Sequence, residues 1–266
     1  MTNLFYNLAT FCFSVALLVS ASLPKMTQAQ TINAIGNDPS LSAQQRKQVK
    51  EIIREYLQKN PQDIIQSVQT MRDQQKNNAK NLNQKNLVIY KELIINDPTS
   101  PIAGNPKGDV TIVEFFDYSC GYCKKIFPNL KRLISEDKNI RFVFKELPIL
   151  SRQSELAARA ALAAWRQDKK IYMVIHSEFM NLRGRFSEAR IFRIAKNKGL
   201  DLVQLKKDMQ SLTMDETIAQ NRQLAQKLNI TGTPGFIIGN NIIPGVVELE
   251  TLKKLISDVR KAKIAG

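Results

Sequence analysis

The chain is poor in the residues from which most metal and cofactor centres are made: its 266 residues contain three cysteines and one histidine, His176. A tetrahedral zinc site needs about four Cys or His ligands. Beyond Cys120 and Cys123 only Cys12, inside an N-terminal apolar run, and His176 remain, which argues against structural zinc. Attachment of c-type haem requires His directly after the second cysteine of C-x-x-C, and Lys124 stands there instead, so haem is excluded. Basic runs with interleaved aromatics are also missing. The net charge of +15 comes from Lys and Arg spread along the chain in i, i+4 company with Glu and Asp. That pattern reads as solvated helix faces with a residual attraction for anionic lipid or acidic clients, and no nucleic-acid partner is expected. No Lys or Arg precedes Lys25, although the first 29 residues otherwise read as an export segment.

What is present is a dithiol in a telling place. Residues 110–116, Val-Thr-Ile-Val-Glu-Phe-Phe, form an apolar, β-branched and aromatic run that predicts a buried strand. After Asp117-Tyr-Ser comes Cys120-Gly-Tyr-Cys123, where a helix should start. A cysteine at a helix N-terminus meets unpaired amides and the positive end of the macrodipole, both of which favour thiolate. Cys120 is thus a candidate nucleophile, and Cys123, one turn inside, can reach its sulfur, so that the pair stores or releases two electrons. A purely structural bond closing so short a loop would stabilise little.

The export segment carries an apolar stretch from residue 4 to 23 and a small-residue cleavage site at Thr27-Gln-Ala29, and it is nearly long enough to be an uncleaved anchor. Either reading takes the body of the protein out of the cytoplasm, with the periplasm as the expected location. Cys12 reads as apolar filler, which leaves one cysteine pair for work. Residues 30–97 form a helical arm. Its apolar positions Val49, Ile52, Ile53, Tyr56 and Leu57 follow a Ser42/Gln45 capping box, and after Asn60-Pro61 the stripe continues through Ile64, Ile65, Val68 and Met71 before thinning between 74 and 86. So narrow a stripe must dock on the main domain or on another copy of itself, so homo-oligomerisation through residues 40–95 is expected.

A Pro- and Gly-rich loop over residues 96–109 leads into a domain spanning 98–266. The dithiol helix should run to about residue 136 with a kink at Pro128, followed by a strand over 140–144. From about 150 to 228 the apolar period is helical throughout, a subdomain inserted between strands. His176 falls within it as a packed or surface residue. Strand returns at residues 233–238, turns at 239–241 and runs back through Ile242 and Ile243, and an amphipathic helix over 249–264 closes the chain. The fold class is α/β, a mixed sheet with helices on it.

The run from Asn105-Pro106 through Val110–Phe116 to Asp117-Tyr-Ser-Cys-Gly-Tyr-Cys-Lys124, with Thr231-Gly-Thr-Pro234 downstream and helices between, resembles the DsbA family of exported thiol–disulfide oxidoreductases. The arm is similar to N-terminal extensions of ScsC-type relatives. The resemblance implies a thioredoxin fold with an inserted helical subdomain and an N-terminal helical extension, and neither a cofactor nor a metal ligand. It makes Cys120 the attacking sulfur, Cys123 the buried resolving thiol, Pro234 a cis-proline facing them, and Thr233 the backbone that pairs with an extended client. Gly121 and Tyr122 would border the client. Glu114 would be a buried acid exchanging a proton with Cys123, the alternative being a surface acid on an edge strand. Asp117 and Tyr118 would position the loop. Implied partners are reduced or misoxidised client proteins and a membrane redox protein that recycles the dithiol. One departure matters: strong DsbA oxidases carry Pro-His between the cysteines, and the neutral Gly121-Tyr122, with Thr before the proline, is similar to the isomerase DsbC. That departure points toward a less oxidising pair, but because the domain architecture is DsbA-like the expectation is a disulfide oxidoreductase with oxidase activity, with an oligomeric isomerase or reductase, or a Cu(I)-handling protein, as alternatives.

Overall fold

The computed structural model describes residues 41–264, so Cys12 and the whole of the 1–29 segment lie outside the described residues. The chain divides into two compact units, residues 1–69 and 70–266. In the first, α1 (Ala43–Lys59) starts at a reciprocal capping box: the Gln45 amide donates to Ser42 Oγ at 3.2 Å and the Ser42 amide to Gln45 Oε1 at 2.8 Å. No residue of α1 is buried, and Val49, Ile52, Ile53, Tyr56 and Leu57 are all exposed. Helix α2 (Pro61–Ile89) has proline at its first position, where the missing N–H costs nothing. It belongs to the first unit up to Gln69 and to the second from Thr70. It runs unbroken through the polar stretch at 74–86, because that stretch thins the apolar stripe without supplying a Gly or Pro to end the helix.

In the second unit, a one-turn helix α3 (Lys91–Ile95) precedes a five-stranded sheet. Its strands are β1 (Ile102–Gly104), β2 (Val110–Phe116), β3 (Ile140–Glu146), β4 (Gly235–Ile238) and β5 (Asn241–Pro244), in the order β1-β3-β2-β4-β5. Only β2 and β3 are parallel neighbours. Strand β1 lies in the span expected to be a loop: three residues between prolines and glycines carry too short a pattern to register, and pairing with β3 makes them a strand. β4 begins at Gly235 and not at 233, since Pro234 has no N–H to give the ladder.

Both faces of β2 are covered, which is why it reads as a continuous apolar run and not an alternating one. Ile112, Phe116, Phe142 and Phe144 belong to the larger core, with helix α4 (Gly121–Glu136) and the inserted helices. Val113, Phe115 and Val143 face the other way, onto Leu87 of α2, Ile94 of α3, and Leu224 and Leu228. The insertion comprises α5 (Arg152–Gln167), α6 (Lys169–Asn181), α7 (Glu188–Asn197), α8 (Leu202–Met209) and α9 (Leu212–Lys227). Within α5, Ala157, Ala158, Ala160, Ala161, Ala163 and Ala164 are all buried, so neighbours pack close to its backbone from several sides. The closing helix α10 (Leu249–Ile264) buries Leu252 and Ile256. Among the described residues no helix is long and apolar enough to cross a membrane.

A buried ion pair fastens the segment before β1 to the sheet. Lys145 Nζ of β3 lies 2.6 Å from Asp97 Oδ2, with side chains 1% and 4% exposed. Asp97 also accepts from the Thr99 amide and hydroxyl at 2.9 and 2.7 Å and from Ser100 Oγ at 2.8 Å. Burial pushes the Asp97 carboxyl up, but the ammonium and these donors outweigh it and hold the group below its usual value. Removing one partner of such a pair strands the other charge. Asp97→Ala is expected to lower the unfolding free energy in urea by about 3–5 kcal/mol, whereas Asp97→Leu with Lys145→Met recovers most of the loss; an Asp97→Ala variant as stable as the parent would refute this reading.

Candidate active site

The site grows from the end of β2. Its last residue, Phe116, is followed by Asp117, whose buried carboxylate gathers three amides: Ser119 N at 2.7 Å on one oxygen, and Ile149 N and Leu150 N at 3.0 and 3.1 Å on the other. The Cys120 amide donates to the Asp117 carbonyl at 3.0 Å. One aspartate thus fixes the turn into the dithiol and the loop after β3 together. Cys120 then takes the N-cap of α4, a position normally held by Ser, Thr, Asp or Asn, and its sulfur accepts from the Cys123 amide at 3.5 Å.

The sulfur is strongly acidified there. The Cys120 pKa is lowered to about 5: the largest cause is a hydrogen bond from the Cys123 side chain, opposed by burial and aided by the Thr233 side chain and by the Cys123 and Tyr122 amides. As a thiol, Cys120 donates to the Thr233 carbonyl at 3.3 Å, across 113 residues of sequence. The Thr233–Pro234 peptide bond is cis. Beside it opens a cleft of about 330 Å³ bordered by Asn83, Ile230, Pro234 and Ile243. Cys123 is fully buried and its pKa is raised, by its hydrogen bond to Cys120, by burial and by the Glu114 carboxyl. Both cysteines are free thiols. Tyr122 is 66% exposed and nothing lies within 4 Å of where a Gly121 side chain would begin, so this mouth is open.

Glu114 sits on the central strand β2, not at an edge, and is 1% exposed with neither carboxylate oxygen hydrogen-bonded to any described residue. Burial, and secondarily the Cys120 charge, push its pKa up to about 8, so it is a protonated carboxyl at neutral pH. Of the seven residues singled out from the sequence, Cys120, Gly121, Tyr122 and Cys123 form the dithiol turn, Thr233 and Pro234 bring the cis-peptide loop to it, and Glu114 lies buried in β2 where its charge is felt by Cys123.

Sequence reasoning missed the polar groups behind it. His176 is completely buried, and its Nδ1 is 2.9 Å from the hydroxyl of Tyr118, two residues before Cys120. Burial lowers its pKa to about 3, which keeps the ring neutral. Tyr172, stacked on the His176 ring, donates its hydroxyl to Glu146 Oε1 at 3.0 Å. Burial raises Glu146 to about 8. The only signal available beforehand was the i, i+4 spacing of Tyr172 and His176 on one helix. Among the described residues no group of three or more His, Cys, Asp or Glu is arranged to hold a metal ion.

A dithiol with one acidified sulfur, a buried protonated carboxyl and a cis-proline loop is equipped for disulfide exchange, and comparison with known proteins agrees. The family model of DsbA-like thioredoxin domains matches residues 111–257, more than half the chain. The chain belongs to the DsbA family. A thioredoxin-like oxidoreductase from Silicibacter pomeroyi is 43% identical over 64% of this chain and 97% of that one, with a TM-score of 0.61. A Proteus mirabilis ScsC variant is 26% identical and matches 85% of this chain and all of that one, with a TM-score of 0.62. Disulfide bond formation protein D of Bacillus subtilis is 24% identical, over 61% of this chain and 78% of its own length. This DsbA-family protein is a thiol–disulfide oxidoreductase with a thioredoxin-like fold.

The pKa values set a pH window. Cys120 is depressed in the fold, so its contribution to the stability of the reduced protein is complete above about pH 9 and is lost as pH falls through about 5. Glu114 is raised, so its contribution is present at acid pH and lost as pH rises from 4.5 through about 8. Iodoacetamide should alkylate Cys120 of the reduced protein with a midpoint near pH 5 and leave Cys123 untouched at neutrality. Glu114→Gln should gain stability over the parent progressively from pH 4.5 to about 8; a gain independent of pH would show that Glu114 does not titrate as a buried acid.

Proposed function

We propose that the protein is exported and forms or exchanges disulfide bonds in envelope proteins through the Cys120/Cys123 pair. The observation that carries this reading is the Cys120 sulfur, capping α4 at a pKa of about 5 and lying 3.3 Å from the carbonyl of the residue before the cis-proline.

With the pair oxidised, a client thiolate attacks Cys120 Sγ, a mixed disulfide forms, and Cys123 leaves as a thiolate that takes a proton from Glu114. The client's second thiolate then attacks the client sulfur of that mixed disulfide and expels Cys120. Two electrons pass from client to enzyme, and the low pKa of Cys120 makes it the better leaving group in this second step. The reverse sequence repairs or reduces a client disulfide. In both directions the client lies extended along Thr233, adding a strand beside the cis-proline, with Gly121 and Tyr122 at its border.

Stabilising the reduced form drives disulfide donation, so a thiolate at about pKa 5 supports an oxidase. The isomerase reading is favoured by a different observation, the unburied apolar side chains of residues 43–69, which support assembly with further copies of the chain. That assembly is assigned to residues 40–95, but Leu87 and Ile94 of this span are buried in the core of the second unit. A truncation that tests it must therefore stop at residue 69. Export rests on the apolar segment within residues 1–29.

Cys120→Ser should abolish oxidation of a reduced client, and Cys123→Ser should accumulate the mixed disulfide on non-reducing gels; an active Cys120→Ser enzyme would end the proposal. Equilibration with glutathione should place the pair between about −120 mV, typical of DsbA, and about −270 mV, typical of thioredoxin, because a thiolate of pKa about 5 lies between theirs. By light scattering, the protein without residues 1–69 should be a monomer that keeps its redox activity while the longer chain assembles.

A further inference from the structure

Resting on the redox reading above, we propose that the flank of the dithiol formed by the loop between α6 and α7 is a cationic rim that recruits acidic segments of client polypeptides. Lys124, the residue after Cys123, donates its ammonium to the Leu182 carbonyl at 2.6 Å and lies 5.4 Å from the centre of the Phe186 ring. From α7, the Arg190 guanidinium donates to the carbonyls of Arg183 and Arg185, each at 2.9 Å. Two cations thus draw the loop's carbonyls inward. Gly184, at φ +80° with its missing side chain 3.4 Å from Arg190, lets the chain reverse there. The side chains of Arg183 and Arg185 are left exposed on this loop, which Lys124 ties to the dithiol helix. Across Phe186, Arg152 lines the adjoining cleft.

Among the described residues none of Lys124, Arg152, Arg183, Arg185 and Arg190 forms an ion pair. The acids nearby do not neutralise them. Glu155 is taken by Arg159 and Arg222, Asp117 is buried under three amides, and only the exposed Glu188 borders the same cleft unpaired. Surface cations left without partners keep their field for an incoming ligand, and over a range of about 8–10 Å at physiological salt such a field steers association. An acidic peptide fits better than an anionic membrane. The loop is fastened to Lys124, the residue after Cys123, and a lipid surface seated there would compete with a client cysteine for the open mouth at Gly121 and Tyr122.

The test uses the exported chain, an Arg183→Glu/Arg185→Glu variant of it, and two dicysteine peptides of equal length, one rich in Asp and Glu, the other in Lys. At low salt the oxidised parent should oxidise the acidic peptide about tenfold faster than the basic one. High salt should shrink the ratio toward one, and the variant should reverse it. Neutral iodoacetamide should alkylate Cys120 equally in parent and variant, whereas anionic iodoacetate should slow in the variant. A parent without salt-sensitive preference, or a variant that keeps the parent's preference, overturns the rim while leaving the redox reading intact. Salt-sensitive binding of the parent to phosphatidylglycerol vesicles, without peptide preference, overturns it in favour of a membrane surface. Failure to oxidise either peptide would sink both readings.

Discussion

A sulfur standing where a helix needs an acceptor is the constraint on which the catalytic unit depends. The first amides of α4 have no partners inside the helix, and Cys120 supplies one from the N-cap. For that to happen β2 must end at Phe116, four residues earlier, and Asp117 must hold the intervening turn. The second contact on the sulfur is prepared by the sheet itself. β2 and β4 run antiparallel with Phe115 opposite Gly235, so the residues just before Gly235 lie against the end of β2, and the sheet register carries Thr233 and Pro234 to the dithiol. A parallel pairing would have delivered the other end of β4.

Beneath the sulfur the interior holds polar groups at a cost. Glu114 and Glu146 occupy the same face of adjacent strands, since Glu114 pairs with Phe144 and Phe116 with Glu146. Burying either as an anion would be expensive, and both stay protonated at neutrality. Between them Tyr118, Tyr172 and His176 join into hydrogen bonds within a cluster of edge-on aromatic rings. Neutral groups thus brace the turn before Cys120.

Much of this was legible beforehand because it is local. The strand, the dithiol and the helix lie within 27 consecutive residues, from Val110 to Glu136, and each announces itself by period or by position. The inserted helices were readable from their apolar spacing, and the start of α1 from Ser42 and Gln45. The cis-proline and the buried acid came from likeness to a family; periodicity carries neither. What escaped was set by register between distant segments. Lys145 and Asp97 are 48 residues apart, Tyr118 and His176 are 58 apart, and β1 exists only because β3 offers it an edge. A lysine in an apolar strand or a histidine on an apolar helix says that a partner is needed without saying which.

The alanine-lined helix α5 carries one more consequence, for how such a protein can diverge. With six of its small side chains already sealed against neighbours, almost any larger residue there would have to displace a wall of the fold. Sequence drift in the helical subdomain is thereby channelled outward, into the Arg-Gly-Arg loop and its surroundings. Relatives sharing one redox engine can in this way come to favour different proteins to work on while the machinery itself stays put.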